Sequence, residues 1–445
     1  MQPPPSASAL VPHLAWGIPF AGMLLSIALG PLLAPRMWHR HMGRITLFWV
    51  AALVVPMAVA GGPLAAADML WHAAWLEYLP FVTLLLALFA AGGGILIEGG
   101  PWGRPLGNTL LLAAGTLLAG VMGTTGVSMV LIHPLLRANA HRTRKVHLVV
   151  FFILLVSNAG GATTPLGDPP LYLGFLLGVP FIWPAVHLMV PMLTLAVPLL
   201  LVFWLVDRHF AAREPACPPQ RKLRLRGWGN VALVGAVVAT VLAQGVWKPG
   251  EISLLGTKLG VERLVAMVVF LGIAGVSIAT TAPAVRRGNL FEWEPMREVA
   301  VLFAGIFATI APLLAILGAG PDGPAGAILR LTSDAAGQPS ALAYFWLTGI
   351  LSAFLDNAPT YLIFFQMAGG DVGQLTGPLA HLLRAISAGA VFFGALTYVG
   401  NAPNLMVCSI AAHRGVRMPG FFGYMLWSCA LLLPVFVLQS LLFFR

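Results

Sequence analysis

Two aspartates stand out by what surrounds them. Asp168 closes the run Ser157-Asn158-Ala159-Gly160-Gly161-Ala162-Thr163-Thr164-Pro165-Leu166-Gly167, and Pro169 and Pro170 follow it. Asp356 opens Asp356-Asn357-Ala358-Pro359-Thr360. Both runs interrupt long apolar stretches, where an ionisable group is costly and marks function by default. Thr397-Tyr398-Val399-Gly400-Asn401-Ala402-Pro403-Asn404 resembles the first run, with Asn401 at the place of the Asp168 carboxylate. Gly123-Thr124-Thr125-Gly126 is a fourth polar interruption and the counterpart of Asp356-Asn357. No Lys or Arg lies in any of the four.

Unwound backbone exposes carbonyls, and with hydroxyl, amide and carboxylate oxygens these make a hard-cation site. The candidate ligands are Thr124, Thr125, Ser157, Asn158, Thr163, Thr164, Asp168, Asp356, Asn357, Thr360, Thr397, Asn401 and Asn404. Asp168 and Asp356 are the candidates both for holding Na⁺ and for carrying the proton. Burial disfavours an ionised carboxylate and a bound cation favours it. Proton and Na⁺ (or Li⁺) therefore compete for one group, which is the simplest basis for antiport. Each aspartate also has a plainer possible role, as N-cap of the helix that follows it.

The elements that must position these runs are membrane spans. Only 9% of the 445 residues are charged and 59% are hydrophobic, with a mean hydropathy of +0.88. Soluble domains carry about 25% charge, so a soluble enzyme, a nucleic-acid-binding module and a disordered chain are excluded. Apolar segments long enough to cross a bilayer fall at 14–34, 45–66, 78–97, 107–137, 147–180 and 185–206. A second set falls at 229–247, 264–283, 299–318, 339–369, 383–413 and 420–444. Each set reads as three spans, a hairpin, a broken helix and a final span. The expectation is an all-α polytopic membrane protein of two repeats, 1–206 and 229–445, joined by a basic linker at 207–228. The hairpins are 107–137 and 339–369, and the broken helices are 147–180 and 383–413. Such organisation belongs to secondary transporters. No constellation of nucleophile or metal ligands points to an enzyme, and no cofactor beyond the coupling ions Na⁺ and H⁺ is expected.

If each hairpin re-enters, each half has five crossings. Five is odd, so the halves are inverted, and ten crossings put both termini on one side. Lys248, Lys258, Arg263, Arg330, Arg384 and Arg445 then face outward with the termini, and the other 19 of the 25 Lys and Arg face inward. The positive-inside rule favours this arrangement in a bacterial-type inner membrane. The net charge of +10 is thus a mark of sidedness rather than of nucleic-acid binding. Of 15 acidic residues, all but Asp168 and Asp356 are expected in loops or near span ends.

The run from Gly123-Thr124-Thr125-Gly126 through His133-Pro134-Leu135-Leu136-Arg137-Ala138-Asn139, then 157–180, resembles the ion-transporter superfamily. So do Leu355-Asp356-Asn357-Ala358-Pro359-Thr360-Tyr361, Tyr398-Val399-Gly400-Asn401-Ala402-Pro403-Asn404 and 418–428. The similarity is greatest to its citrate-transport, sodium:proton antiporter-like branch. That resemblance implies inverted repeats, two re-entrant hairpins, a homodimer and elevator-type transport. The superfamily spans sodium:proton antiporters, arsenite permeases and citrate or dicarboxylate carriers, so the substrate does not follow from the fold. The dicarboxylate carriers have Ser-Asn-Thr at the hairpin tips. The Thr124-Thr125 and Asp356-Asn357 tips resemble the antiporter and arsenite branches instead. His133 stands where an arginine is expected in this branch. Sodium:proton exchange is the leading expectation. A Na⁺- or H⁺-coupled citrate or dicarboxylate transporter is the alternative, with helix ends holding the anion.

Overall fold

The computed structural model describes residues 13–219, 222–320, 322–334 and 337–445. The first half contains α1 (Ile18–Leu33), α2 (Pro35–Gly61), α3 (Pro63–Ala73), α4 (Leu79–Gly92), α5 (Pro105–Met122), α6 (Thr124–Ala138), α7 (Val146–Leu155), α8 (Pro169–Leu177) and α9 (Trp183–Ala211). The second contains α10 (Trp228–Val246), α11 (Val261–Thr280), α12 (Pro283–Gly288), α13 (Glu294–Gly318), α14 (Gly326–Leu329), α15 (Ala341–Phe354), α16 (Asn357–Met367), α17 (Val372–Thr376), α18 (Ala380–Phe393), α19 (Ala402–His413) and α20 (Phe421–Phe443). Two short antiparallel ribbons complete the described residues. β1 (Leu96–Glu98) pairs with β2 (Arg224–Arg226), and β3 (Glu251–Leu254) pairs with β4 (Thr257–Gly260).

Ten helical stretches among the described residues are long and apolar enough to cross a membrane, which makes this an all-α multi-pass membrane protein. The ten include Pro105–Met122, an arm of the expected first hairpin, and leave out Ala380–Leu396. Their number matches the ten expected crossings, but their membership does not.

Three boundaries differ from the sequence reading. The stretch between the second and third spans is not a loop: α3 runs through a π-helical turn, Ala74–Tyr78, into α4. Glu77 therefore lies inside a helix. The basic linker starts later, because α9 continues to Ala211 and carries Asp207, which is completely buried. Part of that linker is β2. The turn of the first helix pair is a single residue, Gly123 at φ +77°, and Thr124-Thr125-Gly126 already belong to α6. In the second pair, likewise, Asn357, Ala358 and Pro359 form the first turn of α16. A proline is tolerated there because its missing N–H would have no helical partner.

The α5–α6 pair doubles back on itself. Asn108 near the start of α5 and Asn139 at the end of α6 exchange side-chain hydrogen bonds of 3.1 and 2.9 Å. Asp207 anchors this end from α9. It accepts from Asn108 at 2.9 Å, lies 2.9 Å from His147 Nε2, and is paired with Arg142. Asp207, Arg142 and His147 are all buried. The shared core is densest around 148–156 and 385–393, where α7 and α18 have almost no accessible surface. These are the first parts of the two interrupted segments, so both breaks begin deep inside the protein.

Backbone at positive φ with extended ψ is nearly restricted to glycine, and other residues there cost about 1–3 kcal/mol. A Cβ on Gly123 would also come 3.2 Å from the Leu166 carbonyl oxygen, whereas one on Gly229, in α10, would meet nothing. Gly123→Ala should therefore lower the unfolding temperature of the purified protein, and Gly229→Ala should leave it unchanged or raise it. Equal melting curves for the two variants would contradict a strained turn at Gly123.

Candidate functional site

The two broken segments and the two helix-pair tips meet at Asp168. It is the N-cap residue of α8 by position, but its side chain makes no capping bond. Instead Oδ1 accepts from Thr124 Oγ1 at 3.1 Å and from Asn401 Nδ2 at 3.1 Å, and Oδ2 accepts from Asn357 Nδ2 at 2.7 Å. The carboxylate is 1% exposed. Each of the four interruptions read from the sequence thus contributes one residue to a single cluster. All three donors are neutral, and no ion pair among the described residues involves Asp168.

A second layer orients the first. The Ser352 hydroxyl shares its one proton between Asn357 Oδ1 at 2.9 Å and the Ala390 carbonyl at 2.6 Å. Asn401 Nδ2 also reaches Asn158 Oδ1 and the Ser157 carbonyl, both at 3.2 Å. Asn158 donates to Asn404 Oδ1 and to the Ile153 carbonyl, both at 2.8 Å. Asn404 in turn donates to the Gly394 and Thr397 carbonyls at 2.8 and 2.9 Å. Ser157 and Ser128 share a bond of 2.8 Å. Backbone groups freed by the breaks are thereby paired, as enclosure away from water demands.

One spacing recurs through the cluster. Thr164 donates to the Gly120 carbonyl, and Thr397, 233 positions later, donates to the Ala353 carbonyl. Gly161 lets Thr124 approach: a Cβ there would come 2.7 Å from Thr124 Cγ2. Gly394 does the same for Asn357, at 2.4 Å from its Oδ1. Gly161 and Gly394, Thr124 and Asn357, and Asp168 and Asn401 are each 233 apart. The tip residues therefore pair as Thr124 with Asn357, and Asp356 falls opposite Gly123.

Not every expected residue joins the cluster. Asp356 is half-buried and caps α16, with Oδ1 accepting from the Ala358 N–H at 3.0 Å. Thr360 donates to the Asp356 carbonyl at 3.1 Å. Thr125 is half-buried in the first turn of α6, and Thr163 lies against Gly120. Ser128 and Ser352 are the additions that sequence reasoning missed, each a small hydroxyl set among apolar neighbours within a helix. Glu77 and Asp207 were expected near water. Asp207 is instead neutralised inside the protein, and Glu77 borders a cavity of about 520 Å³. Lys248, Glu262 and Arg263 line the same cavity, over Leu173 of α8 and Leu362 of α16. It thus opens beside the two helices that begin at Asp168 and Asp356.

Residues 9–444 match the model of a family described as "Putative citrate transport". The chain belongs to this family. Two curated relatives are uncharacterized transporters, one from Mycobacterium bovis and one from Mycobacterium tuberculosis. Each is 24% identical over 330 residues, which cover 70% of this chain and 71% of the relative. The family and the ten apolar helices among the described residues make this chain a membrane transporter.

The recurring Thr bonds can be tested directly. Replacing either hydroxyl by a methyl leaves a buried carbonyl unpaired, at a cost of about 1–3 kcal/mol. Thr397 is fully buried and also accepts from the Val399 and Gly400 N–H groups, whereas Thr164 is half-buried and accepts from Leu166 alone. Thr164→Val and Thr397→Val should both lower the melting temperature, Thr397→Val by more, and Ser at either position should restore most of the loss. An unchanged Thr397→Val would remove the structural role assigned to that bond.

Proposed function

We propose that this transporter exchanges Na⁺ (or Li⁺) for H⁺ at Asp168. The observation that carries this reading is a buried carboxylate held only by neutral donors from both tips and both breaks. Without a fixed cation beside it, such a group is stable either protonated or with a mobile cation bound. Asp356 adds the second charge. It immediately precedes Asn357, whose amide donates to Asp168, and two neighbouring carboxylates favour uptake of a proton or a metal cation over double ionisation. The oxygens of Thr124, Thr125, Asn357 and Asn401 and the carbonyls of the breaks complete a hard-cation shell.

The same reading extends to the architecture. The constant spacing of 233 supports two repeats, and with both hairpins re-entrant each half has an odd number of crossings and the repeats are inverted. The α5–α6 and α15–α16 pairs are the re-entrant hairpins, and with the breaks they form a body that moves as an elevator in a homodimer. The skew of positive charge supports termini on the outer side of a bacterial-type inner membrane. A second reading has one specific support, the description of the matched family. In it the protein carries citrate or another carboxylate, and Asp168 holds the coupling cation.

Reconstitution into proteoliposomes separates the two. Exchange predicts that an imposed Na⁺ gradient moves protons with no organic acid present. The carrier reading predicts no such movement and Na⁺-dependent uptake of labelled citrate. Asp168→Asn should abolish exchange without loss of folded protein. Asp356→Asn keeps a good N-cap and removes only the charge, so it should weaken apparent Na⁺ affinity at least tenfold at an unchanged melting temperature. Proton exchange at wild-type rate in Asp168→Asn would falsify the assignment.

A further inference from the structure

We propose that the cavity beside α8 and α16 is the vestibule through which a cation reaches Asp168, with Glu77 as the carboxylate that draws it in, a role that rests on the cation site proposed above. Glu77 sits in the π-helical turn of the span Pro63–Gly92 and lines the cavity. Such turns are rare and occur often at functional sites. A carboxylate within a span is costly unless it meets water or a partner. No ion pair among the described residues involves Glu77.

The strongest cations around it are committed elsewhere. Lys248 Nζ and Glu262 Oε1 pair at 3.2 Å. Arg263 donates to the Leu176 carbonyl at 2.8 Å, in the last turn of α8, and reaches the Leu76 carbonyl at 3.4 Å. It therefore braces the π turn against α8 and leaves Glu77 open to the cavity. The β3–β4 ribbon supplies Glu251 and Lys258 to the lining. Trp71 Nε1 donates to the Leu254 carbonyl at 3.1 Å, which fastens this ribbon to α3, the helix that leads into the π turn. Six of the 13 lining residues are charged, three of each sign, in a chain with 9% charge. A lining so charged is stable in a membrane protein where water reaches it. The cavity of about 520 Å³ far exceeds the roughly 30 Å³ that one water occupies in the liquid, so an alkali cation fits with its hydration.

The floor of the cavity leads to the exchange site. Leu173, Leu176 and Leu177 are spaced i, i+3, i+4 on α8 and share one face. Leu173 is five residues beyond Asp168 and Leu362 is six beyond Asp356, roughly 7.5 and 9 Å along their helices at 1.5 Å per residue. α8 and α16 pack on each other, and a Cβ on Gly174 would come 2.4 Å from the Tyr361 hydroxyl. Asp168 is 1% exposed. The contact of α8 with α16 thus seals the vestibule from the site, and parting these two helices joins them.

Transport is measured in proteoliposomes at low ionic strength over a range of Na⁺ concentrations. Glu77→Gln should raise the half-saturating Na⁺ at least threefold, move the maximal rate less than twofold and keep the melting temperature. Glu77→Asp should recover most of the loss. Leu177→Cys gives a second readout. A hydrophilic cationic thiol reagent present on both sides should slow this variant at least fivefold. The treated wild type, with Cys217, Cys408 and Cys429, sets the background. If the wild type takes up citrate with Na⁺ and does not exchange Na⁺ for H⁺, the same variants are read on that uptake; the exchange reading then fails, and the same two effects still support the vestibule. Either an unchanged Na⁺ dependence in Glu77→Gln or full transport by completely labelled Leu177→Cys overturns the vestibule and leaves exchange at Asp168 standing. A wild type with no Na⁺-dependent transport overturns both.

Discussion

A carboxylate enclosed by protein has to be matched by something, and at Asp168 the match is three neutral donors. Much of the interior follows from that constraint. Neutral donors cannot cancel the charge, so the group depends on a proton or a mobile cation for stability. They must also come close from several directions, which requires short side chains and backbone that can be approached. Thr124, Asn357 and Asn401 are short, and Gly161 and Gly394 leave room for the tip residues. The breaks in α7–α8 and α18–α19 bring these groups inward, and each break in turn needs its own freed carbonyls paired. Asn404, Asn158 and Thr397 meet that need. The polar residues of the cluster are thus of two kinds: those that face the carboxylate, and those that make unwound backbone tolerable in an apolar interior.

Asp207 shows what the same side chain does with a fixed partner. It is as buried as Asp168, but Arg142 and His147 lie against it and Asn108 donates to it. Loss of one member of such a buried pair costs about 3–5 kcal/mol, so this aspartate locks the base of the α5–α6 pair to α9. The two residues differ in whether a cation is built into the chain. That difference separates the joint at Asp207 from the exchange site proposed at Asp168, and burial alone does not.

The fold class was legible because composition leaves so few alternatives, and the breaks were legible because glycine, proline and asparagine are conspicuous in apolar surroundings. The gathering of Thr124, Asn357 and Asn401 around Asp168 was legible too, through the likeness of the two halves. Turn positions were less so. Thr124 and Asn357 look like turn residues but occupy the first helical turn, where unpaired N–H groups make polar side chains and proline equally acceptable. Glu77 and Asp207 were misplaced because both lie at margins where a loop and a helix end have the same composition; only the π turn and the tertiary partners distinguish them. The packing of α6 on α19 could not be read at all, since nothing local in either segment specifies it.

The asymmetry between the halves is itself part of the chemistry. Asp168 and Asn401 occupy corresponding positions and hydrogen-bond to each other, so the likeness of the halves meets itself at this contact. Two aspartates there would place like charges at bonding distance, and without a cation one of them would stay protonated. Two asparagines would leave nothing to exchange. One of each gives a single ionisable group whose corresponding residue is a donor to it. The other tip acid obeys the same logic. Asp356 stands opposite Gly123, and its side chain is taken up by the N–H of Ala358 instead of by the cluster. The second charge is therefore one residue from the Asn357 donor without being bonded to Asp168, which leaves the Asn401 and Asn357 donors in place.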